Sequence, residues 1–150
     1  MRLHSLRRQQ RIGAELDPVF AFFSHAHNLE QITPPWLRFE IVTPGPVEMA
    51  AGTLIDYRLR LHGVPMHWRT RIEAWEPGRM FADRQLRGPY ALWYHRHEFE
   101  PNADGTLVRD IVHYALPGGA LGDLALPVVR RDLTRIFDYR HAAAERALLG

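Results

Sequence analysis

The feature that most constrains this chain is a long stretch, from residue 38 to about residue 116, in which apolar and polar side chains alternate. Alternation is the period of β-strands that bury one face and expose the other. Odd positions are apolar from residue 55 to 61, whereas even positions are apolar from residue 66 to 74. Because an unpaired charge on a buried face costs several kcal/mol, the apolar positions identify the inner face of a predicted antiparallel sheet.

The switch of parity places the first hairpin turn. A two-residue turn at Gly63 and Val64 pairs Leu61 with Met66 and keeps both side chains on the inner face. Glycine at the first turn position favours a type II′ turn. Three further turns follow, and the opposed pairs that they predict are Ala74 with Phe81 and Ile72 with Asp83 (turn 76–79), Asp83 with His95 and Gln85 with Trp93 (turn 88–90), and His97 with Asp110 and Trp93 with Tyr114 (turn 102–105).

Helices are predicted both before and after the strand region in the sequence. After an extended segment at residues 3–12, Asp17 and Pro18 are the expected N-cap and first-turn proline of a short helix. A second helical turn at residues 28–32 ends at the prolines that follow, because the residue before a proline avoids the helical region. From Pro127 onward we predict a long helix whose apolar stripe consists of Val129, Leu133, Ile136, Phe137, Ala144 and Leu148.

Arg140 interrupts that apolar stripe. It lies between Ile136 and Ala144, on the face expected to contact the sheet. Its guanidinium is therefore predicted either to be paired inside the fold or to extend past the stripe to solvent.

Together these elements predict a single α+β domain over residues 1–150. A curved antiparallel sheet wraps around the long C-terminal helix and leaves an internal cavity. A chain of 150 residues with 46% hydrophobic composition is large enough to bury a core. Its glycines and prolines are scattered, so neither a linker nor a second domain is expected.

Composition disfavours several classes of function. The chain has no cysteine, which excludes disulfides, thiolate nucleophiles and zinc–thiolate sites. All 19 basic residues are arginines, interspersed with 17 acids rather than gathered into a patch, so no nucleic-acid partner is expected. No apolar run reaches about 18 residues and no signal peptide is recognisable, so we expect a cytoplasmic protein without an integral membrane segment. No serine-nucleophile motif or glycine-rich phosphate loop occurs.

The predicted inner face carries polar groups among aromatic side chains. Opposed side chains on antiparallel strands have Cβ atoms about 4.5 to 5.5 Å apart. Direct hydrogen bonds are therefore predicted between Asp83 and His95, and between His97 and Asp110. The polar residues of this face are Asp83, Gln85, His95, His97 and Asp110, and the aromatic ones are Tyr57, Trp68, Trp93, Phe99 and Tyr114.

Four interpretations of these polar pairs stay open. They can satisfy each other within the sheet, because a buried polar group without a partner costs about 1 to 3 kcal/mol. They can orient a ligand, since an aromatic pocket with a few convergent polar groups is typical of a small-molecule site. His95 and His97 can bind a metal ion with Asp83 or Asp110, although no further ligand spacing supports this. A histidine held by a carboxylate is also competent in acid–base catalysis.

Four long segments carry a family resemblance: FAFFSHAHNLEQITPPWLRFEI (residues 20–41), GTLIDYRLRLHGVPMHWRTRIEAWEPGRMFADRQLRGPYALWYHRHEFE (residues 52–100), GTLVRDIVHYALPGG (residues 105–119) and IFDYR (residues 136–140). They resemble the SRPBCC superfamily of START-like or Bet v 1-like helix-grip domains, in its bacterial ligand-binding or cyclase/dehydrase-like branch. The resemblance implies a helix-grip fold with a β-α-α-β6-α order and a hydrophobic cavity. It implies ligands such as lipids, sterols or polyketides, and in some members aromatase/cyclase activity. Rieske-type oxygenase activity is excluded because its cluster needs cysteine ligands.

From these observations we predict that the chain binds or carries a small hydrophobic molecule of lipid-, polyketide- or aromatic-like character, without catalysis and without a metal or other cofactor. One alternative is a polyketide cyclase/dehydratase-type lyase, with His95, His97, Asp83 and Asp110 as catalytic candidates. A second alternative is a protein-interaction module, and a homodimer is compatible with the sequence. The predicted ligand-binding residues are Tyr57, Trp68, Asp83, Gln85, Trp93, His95, His97, Asp110, Tyr114, Ile136, Phe137 and Arg140.

Overall fold

A computed structural model describes residues 1–150 and shows seven strands and four helices. The strands are β1 (His4–Ile12), β2 (Glu40–Ile41), β3 (Leu54–Leu61), β4 (Val64–Glu76), β5 (Met80–Arg87), β6 (Leu92–Asn102) and β7 (Gly105–Ala115). The helices are α1 (Leu16–Ser24), α2 (Leu29–Ile32), α3 (Gly119–Gly122) and α4 (Leu126–Leu149), and short 3₁₀ turns lie beside them.

All seven strands form one antiparallel sheet in the order β1-β7-β6-β5-β4-β3-β2. The sheet curves around α4, whose buried Leu133 and Phe137 pack against Trp93, Val112 and Tyr114 of the inner face. The predicted helix-grip fold is therefore confirmed. No helix is both long enough and apolar enough to cross a lipid bilayer.

The C-terminal half of α4 packs against α1 and the far end of the sheet. Phe20 of α1 makes edge-to-face contacts with Phe99, at a centroid distance of 5.0 Å, and with Phe81, at 6.1 Å. Ala143 and Ala144 of α4 belong to the same buried cluster. Each fully buried aromatic side chain contributes about 1.5 to 3 kcal/mol through the hydrophobic effect. This packing closes one end of the space between sheet and helix.

The beginning of α1 differs from the prediction. Glu15 occupies the N-cap position and Asp17 lies inside the first turn, so Asp17 is not the N-cap. The first intrahelical hydrogen bond runs from the Val19 amide to the Glu15 carbonyl, at 3.2 Å. Pro18 still lies in the first turn, where its missing N–H leaves no helical carbonyl unpaired. Pro18 is therefore compatible with a helix that begins earlier than predicted.

The registers around β6 agree with the prediction in three of four pairs. His97 lies opposite Asp110 and Trp93 opposite Tyr114, and Asp83 lies opposite His95. The predicted pairing of Gln85 with Trp93 is wrong, because the β5–β6 ladder ends one residue earlier, at Arg84 and Tyr94.

Gln85 closes the β5–β6 loop instead of pairing across strands. Its amide nitrogen donates to the Tyr90 carbonyl at 2.8 Å, and its amide oxygen accepts from the Tyr90 N–H at 3.1 Å. This side chain therefore supplies the hydrogen bonds that the loop backbone cannot make to itself.

The β3–β4 hairpin is shifted by two residues from the predicted register. Leu61 pairs with Val64, not with Met66, and the turn residues are His62 and Gly63. Both have positive φ, 48° and 81°, as a type I′ turn requires, so the predicted type II′ turn is wrong. A shift of two residues leaves every side chain on its predicted face, because the side-chain period of a strand is two.

A β-bulge at Glu73 changes which residue faces inward on β4. Ile72 lies opposite Asp83 as predicted, but beyond Glu73 it is Trp75, not Ala74, that lies opposite Phe81. The extra residue reverses the facing of the strand after it. Trp75 consequently packs on Phe20, with ring centroids 5.4 Å apart.

Candidate ligand-binding site

A cavity of about 180 Å³ lies between the inner face of the sheet and α4. Of its 23 lining residues, 17 are hydrophobic. They come from β3, β4, β5 and β6, from α1 and α4, from the segments before and after β2, and from the β5–β6 loop. The inner face is therefore not completely filled by side chains, and the space that remains is mostly apolar.

A second cavity of about 350 Å³ adjoins the first and shares Leu61, Tyr90 and Ile136 with its lining. It lies between the β3–β4 turn, the β5–β6 loop and the beginning of α4. His62 at the tip of the β3–β4 turn contacts Asp132 of α4, with Nε2 and Oδ2 2.7 Å apart. This contact joins the hairpin to the helix beside the second cavity.

Nine of the twelve predicted ligand-binding residues line the first cavity, and three do not. Gln85 is engaged in the β5–β6 loop, while Asp110 and Tyr114 are buried on β7 behind the cavity wall. The nine that line it are Tyr57, Trp68, Asp83, Trp93, His95, His97, Ile136, Phe137 and Arg140.

Lining residues outside the strands were missed from the sequence. They lie on α1, in the segments before and after β2, and in the β5–β6 loop, where no strand periodicity indicates which side chains face inward. Among them are Phe23, Leu29, Leu37, Phe39 and Tyr90. The one available signal was aromatic or aliphatic character in a loop, which is not specific.

The aromatic wall of the cavity is held in place by mutual contacts. Trp68 and Trp93 meet edge to face, with centroids 5.5 Å apart, and the Trp68 indole N–H donates to the Thr70 hydroxyl at 3.1 Å. Burial raises the pKa of the Tyr57 hydroxyl, which therefore stays protonated at neutral pH. These rings form a rigid apolar surface with few exposed polar atoms.

The histidine–carboxylate pairs exist, but their partners are exchanged relative to the prediction. His95 Nε2 lies 2.7 Å from Asp110 Oδ1, and His97 Nε2 lies 2.7 Å from Asp83 Oδ2. Each imidazole therefore bonds the carboxylate diagonal to it, not the one directly opposite. The directly opposed pair, His97 and Asp110, is separated by 3.6 Å, which is too long for a hydrogen bond.

Stacking of the two imidazoles accounts for the exchange. His95 and His97 project from the same face of β6, and their ring centroids are 3.7 Å apart with an interplanar angle of 22°. Phe81 stacks on the outer face of the His97 ring at 4.1 Å. Diagonal neighbours in a sheet are within reach of long side chains, so ring orientation selects between two available partners.

The carboxylates of this cluster are ionised in spite of their burial. Burial by itself raises the pKa of Asp110, but the imidazoles of His141 and His95 and the charge of Arg140 outweigh it and hold the pKa well below its usual range. For Asp83, burial is likewise outweighed by the hydrogen bond from His97, so its pKa is also lowered.

His97 is neutral at physiological pH. Burial, together with the neighbouring His95, lowers the pKa of His97 to about 4, against the smaller opposing effect of Asp83 and Asp110. A neutral imidazole has one N–H, and at 2.7 Å from Asp83 its Nε2 is the donor to the ionised carboxylate.

Arg140 is not paired inside the fold, which was one of its two predicted alternatives. It is half-buried and lines the cavity, and its guanidinium forms no ion pair with Asp83 or Asp110, whose partners are histidines. Its Nε is buried without a hydrogen-bond partner, and its Cζ lies 5.6 Å from the centroid of the Phe23 ring. A guanidinium without a hydrogen-bond partner thus belongs to a residue of the cavity wall.

His141 is a further member of the cluster that the sequence analysis did not identify. Its Nε2 lies 3.8 Å from Asp110 Oδ2, on the side away from His95. The residue is four positions after Phe137, so helical periodicity placed it on the same face and could have found it.

Comparisons with known proteins agree with this architecture. The fold and its cavity define a helix-grip protein of the SRPBCC superfamily, as the sequence resemblance indicated. The family described as "Polyketide cyclase / dehydrase and lipid transport" matches residues 12–138, and the chain belongs to this family. None of the curated protein sequences compared with it gives a significant match.

Solved structures of similar shape come from bacteria and from a plant. TTHA0849 from Thermus thermophilus is 20% identical, with a TM-score of 0.73 over 97% of both chains. The Zhui aromatase/cyclase from Streptomyces sp. R1128 is 15% identical, with a TM-score of 0.79 over 98% of this chain and 94% of that one. Major latex-like protein 151 from Panax ginseng is 15% identical, with a TM-score of 0.72 over 99% of each. At these identities the likeness concerns the fold.

Proposed function

We propose that this protein binds a small, mostly apolar ligand in the cavity between sheet and α4, with an acceptor oxygen of the ligand directed at Arg140. The observation that carries the proposal is an apolar cavity lined by an arginine whose guanidinium has neither a hydrogen-bond nor an ion-pair partner. Leaving such a donor unsatisfied costs about 1 to 3 kcal/mol, and a ligand acceptor removes that cost.

The cavity volume limits the part of the ligand that enters it. An apolar cavity of roughly 150 Å³ accepts a molecule the size of benzene. The first cavity, at about 180 Å³, therefore fits one substituted ring, and the adjoining cavity of about 350 Å³ extends the space for a longer ligand. The edges of Trp68 and Trp93 offer contacts to an aromatic ring.

A matched pair of ligands tests this arrangement. Acetophenone and ethylbenzene have similar size, but only acetophenone carries an acceptor oxygen. A hydrogen bond to a charged donor contributes about 1.5 to 3 kcal/mol, so acetophenone should bind at least about tenfold more tightly. Binding is followed by the indole N–H signals of Trp68 and Trp93 in NMR spectra. Absence of any shift of these signals with either ligand would contradict a binding cavity.

Variants of two arginines on α4 identify the donor. Arg140→Met should remove the preference for acetophenone while ethylbenzene binds as before. Arg130→Met, at a position outside both cavities, should leave the preference unchanged. A preference that survives Arg140→Met would assign the acceptor oxygen to another group.

A second candidate function is acid–base catalysis of a cyclisation or dehydration on a polyketide-like substrate. It is favoured by the position of Asp83 and His97, an ionised carboxylate and a neutral imidazole that share a hydrogen bond at the cavity wall. A carboxylate can take the proton from the carbon beside a ketone and then give that proton to the leaving hydroxyl, which departs as water and regenerates the carboxylate. The neutral imidazole holds the carboxylate in position through the shared hydrogen bond. The family description and the relative named as an aromatase/cyclase support the same chemistry.

One variant distinguishes catalysis by Asp83 from a purely structural role of the Asp83–His97 pair. If Asp83 acts on substrate, Asp83→Asn abolishes dehydration of a model β-hydroxyketone while the melting temperature stays nearly constant. If the pair only stabilises the sheet, the melting temperature falls and no turnover is found in the parent protein.

A further inference from the structure

The two imidazoles and the Asp83 carboxylate converge at the wall of the cavity. One potential ligand atom from each of Asp83, His95 and His97 lies within 4.8 Å of the other two. We propose that these three side chains bind one divalent transition-metal ion, in a site that the sequence-based expectation of no metal did not include. The metal proposal does not depend on the apolar-ligand proposal, because its three ligands are polar residues of the cavity wall and Arg140 is not one of them.

Asp110 holds one of the two imidazoles by a hydrogen bond and lies near the other. Its Oδ1 lies 2.7 Å from His95 Nε2 and 3.6 Å from His97 Nδ1, so one carboxylate oxygen faces a ring nitrogen of each imidazole. The ring nitrogens left for a metal are Nδ1 of His95 and Nε2 of His97. Histidine ligands almost always direct their second nitrogen to a carboxylate, carbonyl or water, which fixes the ring orientation.

The charge of the cluster favours a cation. Asp83 and Asp110 contribute two carboxylates, and Arg140 is the single guanidinium that acts on both. Both histidines and both acids are buried or nearly so. Since an uncompensated charge inside a protein is costly, a bound cation would balance the second carboxylate.

Metal binding requires the two stacked imidazoles to tilt apart, because their lone pairs lie in the ring planes and the ring centroids are 3.7 Å apart with an interplanar angle of 22°. His97 Nε2 and Asp83 Oδ2 are 2.7 Å apart and share a proton. Metal–ligand bonds of about 2.0 to 2.2 Å in a tetrahedral site hold neighbouring ligand atoms roughly 3.3 Å apart, so the carboxylate must move by about half an ångström as the metal replaces that proton.

The ligand set indicates which ions fit. Two histidines and one carboxylate with open positions suit Zn²⁺ or Fe²⁺, and the absence of cysteine removes the soft thiolate ligands that Cu⁺ prefers. The three side chains all line the cavity, so the open coordination positions face the space where a small molecule would bind.

The experiment begins with the parent protein, expressed without an affinity tag and freed of metal by a chelator. Titration with Co²⁺ should give the visible d–d absorption of an ordered low-coordinate site, saturating at one ion per chain. Zn²⁺ added afterwards should abolish that absorption. Absence of a saturable Co²⁺ spectrum would overturn the proposal without any variant having to fold.

Variants then locate the site. Asp83→Asn and His95→Gln should each remove the Co²⁺ spectrum, while Asp110→Asn should keep one ion per chain with an affinity about 10- to 100-fold lower. The matched control is His67→Gln, because His67 pairs with Asp56 at 2.8 Å on the outer face of the same sheet. Circular dichroism confirms that each variant is folded. Equal Co²⁺ affinity in the control and in a folded Asp83→Asn variant would place the metal elsewhere.

Failure of the metal site and failure of the ligand cavity give different results. The acetophenone and ethylbenzene titrations are performed on the metal-free protein, where only the apolar cavity and Arg140 contribute. A protein that binds these compounds but no Co²⁺ retains the proposed function and loses the metal site.

Discussion

Buried His97 should make the stability of the metal-free protein depend on pH in a defined window. Its pKa is about 4 in the folded state, against an ordinary value of 6.5 in the unfolded chain. Above pH 6.5 both states hold a neutral imidazole, so His97 contributes no pH dependence there. Between pH 6.5 and 4 the unfolded chain binds a proton that the folded protein does not, and folding stability falls as pH falls.

The size of the effect follows from the separation of the two pKa values. One pKa unit corresponds to about 1.4 kcal/mol, so the full window amounts to about 3.5 kcal/mol. Asp83 and Asp110, whose pKa values are lowered, act in a different range. Their stabilisation is complete above the ordinary carboxyl pKa and is lost as pH falls through their lower folded-state values, so it does not overlap the His97 window.

Urea unfolding at a series of pH values, with a chelator present, measures this slope. His97→Gln should remove up to about 1.4 kcal/mol per pH unit of slope between about pH 6.5 and pH 4, because glutamine does not titrate. His67→Gln is the control for loss of a histidine on the opposite face. Parallel pH profiles for the parent and His97→Gln would refute the assignment of His97 as a buried neutral base.

Two further substitutions test packing and backbone geometry. Phe137→Ala should lower the free energy of unfolding by about 3 to 5 kcal/mol, because this side chain is 3% exposed in the contact between α4 and the sheet. The same variant should allow naphthalene to enter the enlarged cavity. Denaturant unfolding checks the first effect and indole NMR shifts the second; a loss below about 1 kcal/mol would contradict the packing. Gly105→Ala should lower the melting temperature more than Gly45→Ala, although both glycines have positive φ, because only at Gly105 would the new Cβ lie 2.2 Å from a backbone oxygen, that of Ile12. Equal melting temperatures for the two variants would show that the β1–α1 junction yields.

The period of two along the strands is sufficient to predict the sheet and its inner face. A slip of one residue would have moved every inner side chain to solvent, so the alternation was sufficient to place Asp83, His95 and His97 on the inner face. The register of β6 with β7 followed from the position of the turn between them, and the apolar stripe of the last helix followed from the helical period of about 3.6 residues.

Some features of the strands could not be predicted from the alternation of apolar and polar residues. A two-residue slip at the β3–β4 turn preserves every face, and its direction depended on the positive φ adopted by His62. The bulge at Glu73 depends on contacts with the loop before β3, where the amides of Gly52 and Ile72 bond across to the Ile72 and Thr53 carbonyls. Such long-range contacts leave no periodic signature in the chain.

The tertiary structure alone decided the partners and the space within the site. Direct and diagonal carboxylates were both within reach of each imidazole, and ring stacking between His95 and His97 selected the diagonal ones. Whether the inner face was filled depended on how closely α4 approaches the sheet, a distance that no local pattern specifies. Alternation determines which side of a strand a residue occupies, because that is a property of one strand. The relative placement of several elements determines the cavity, the carboxylate that each imidazole bonds, and the lack of a partner for Arg140.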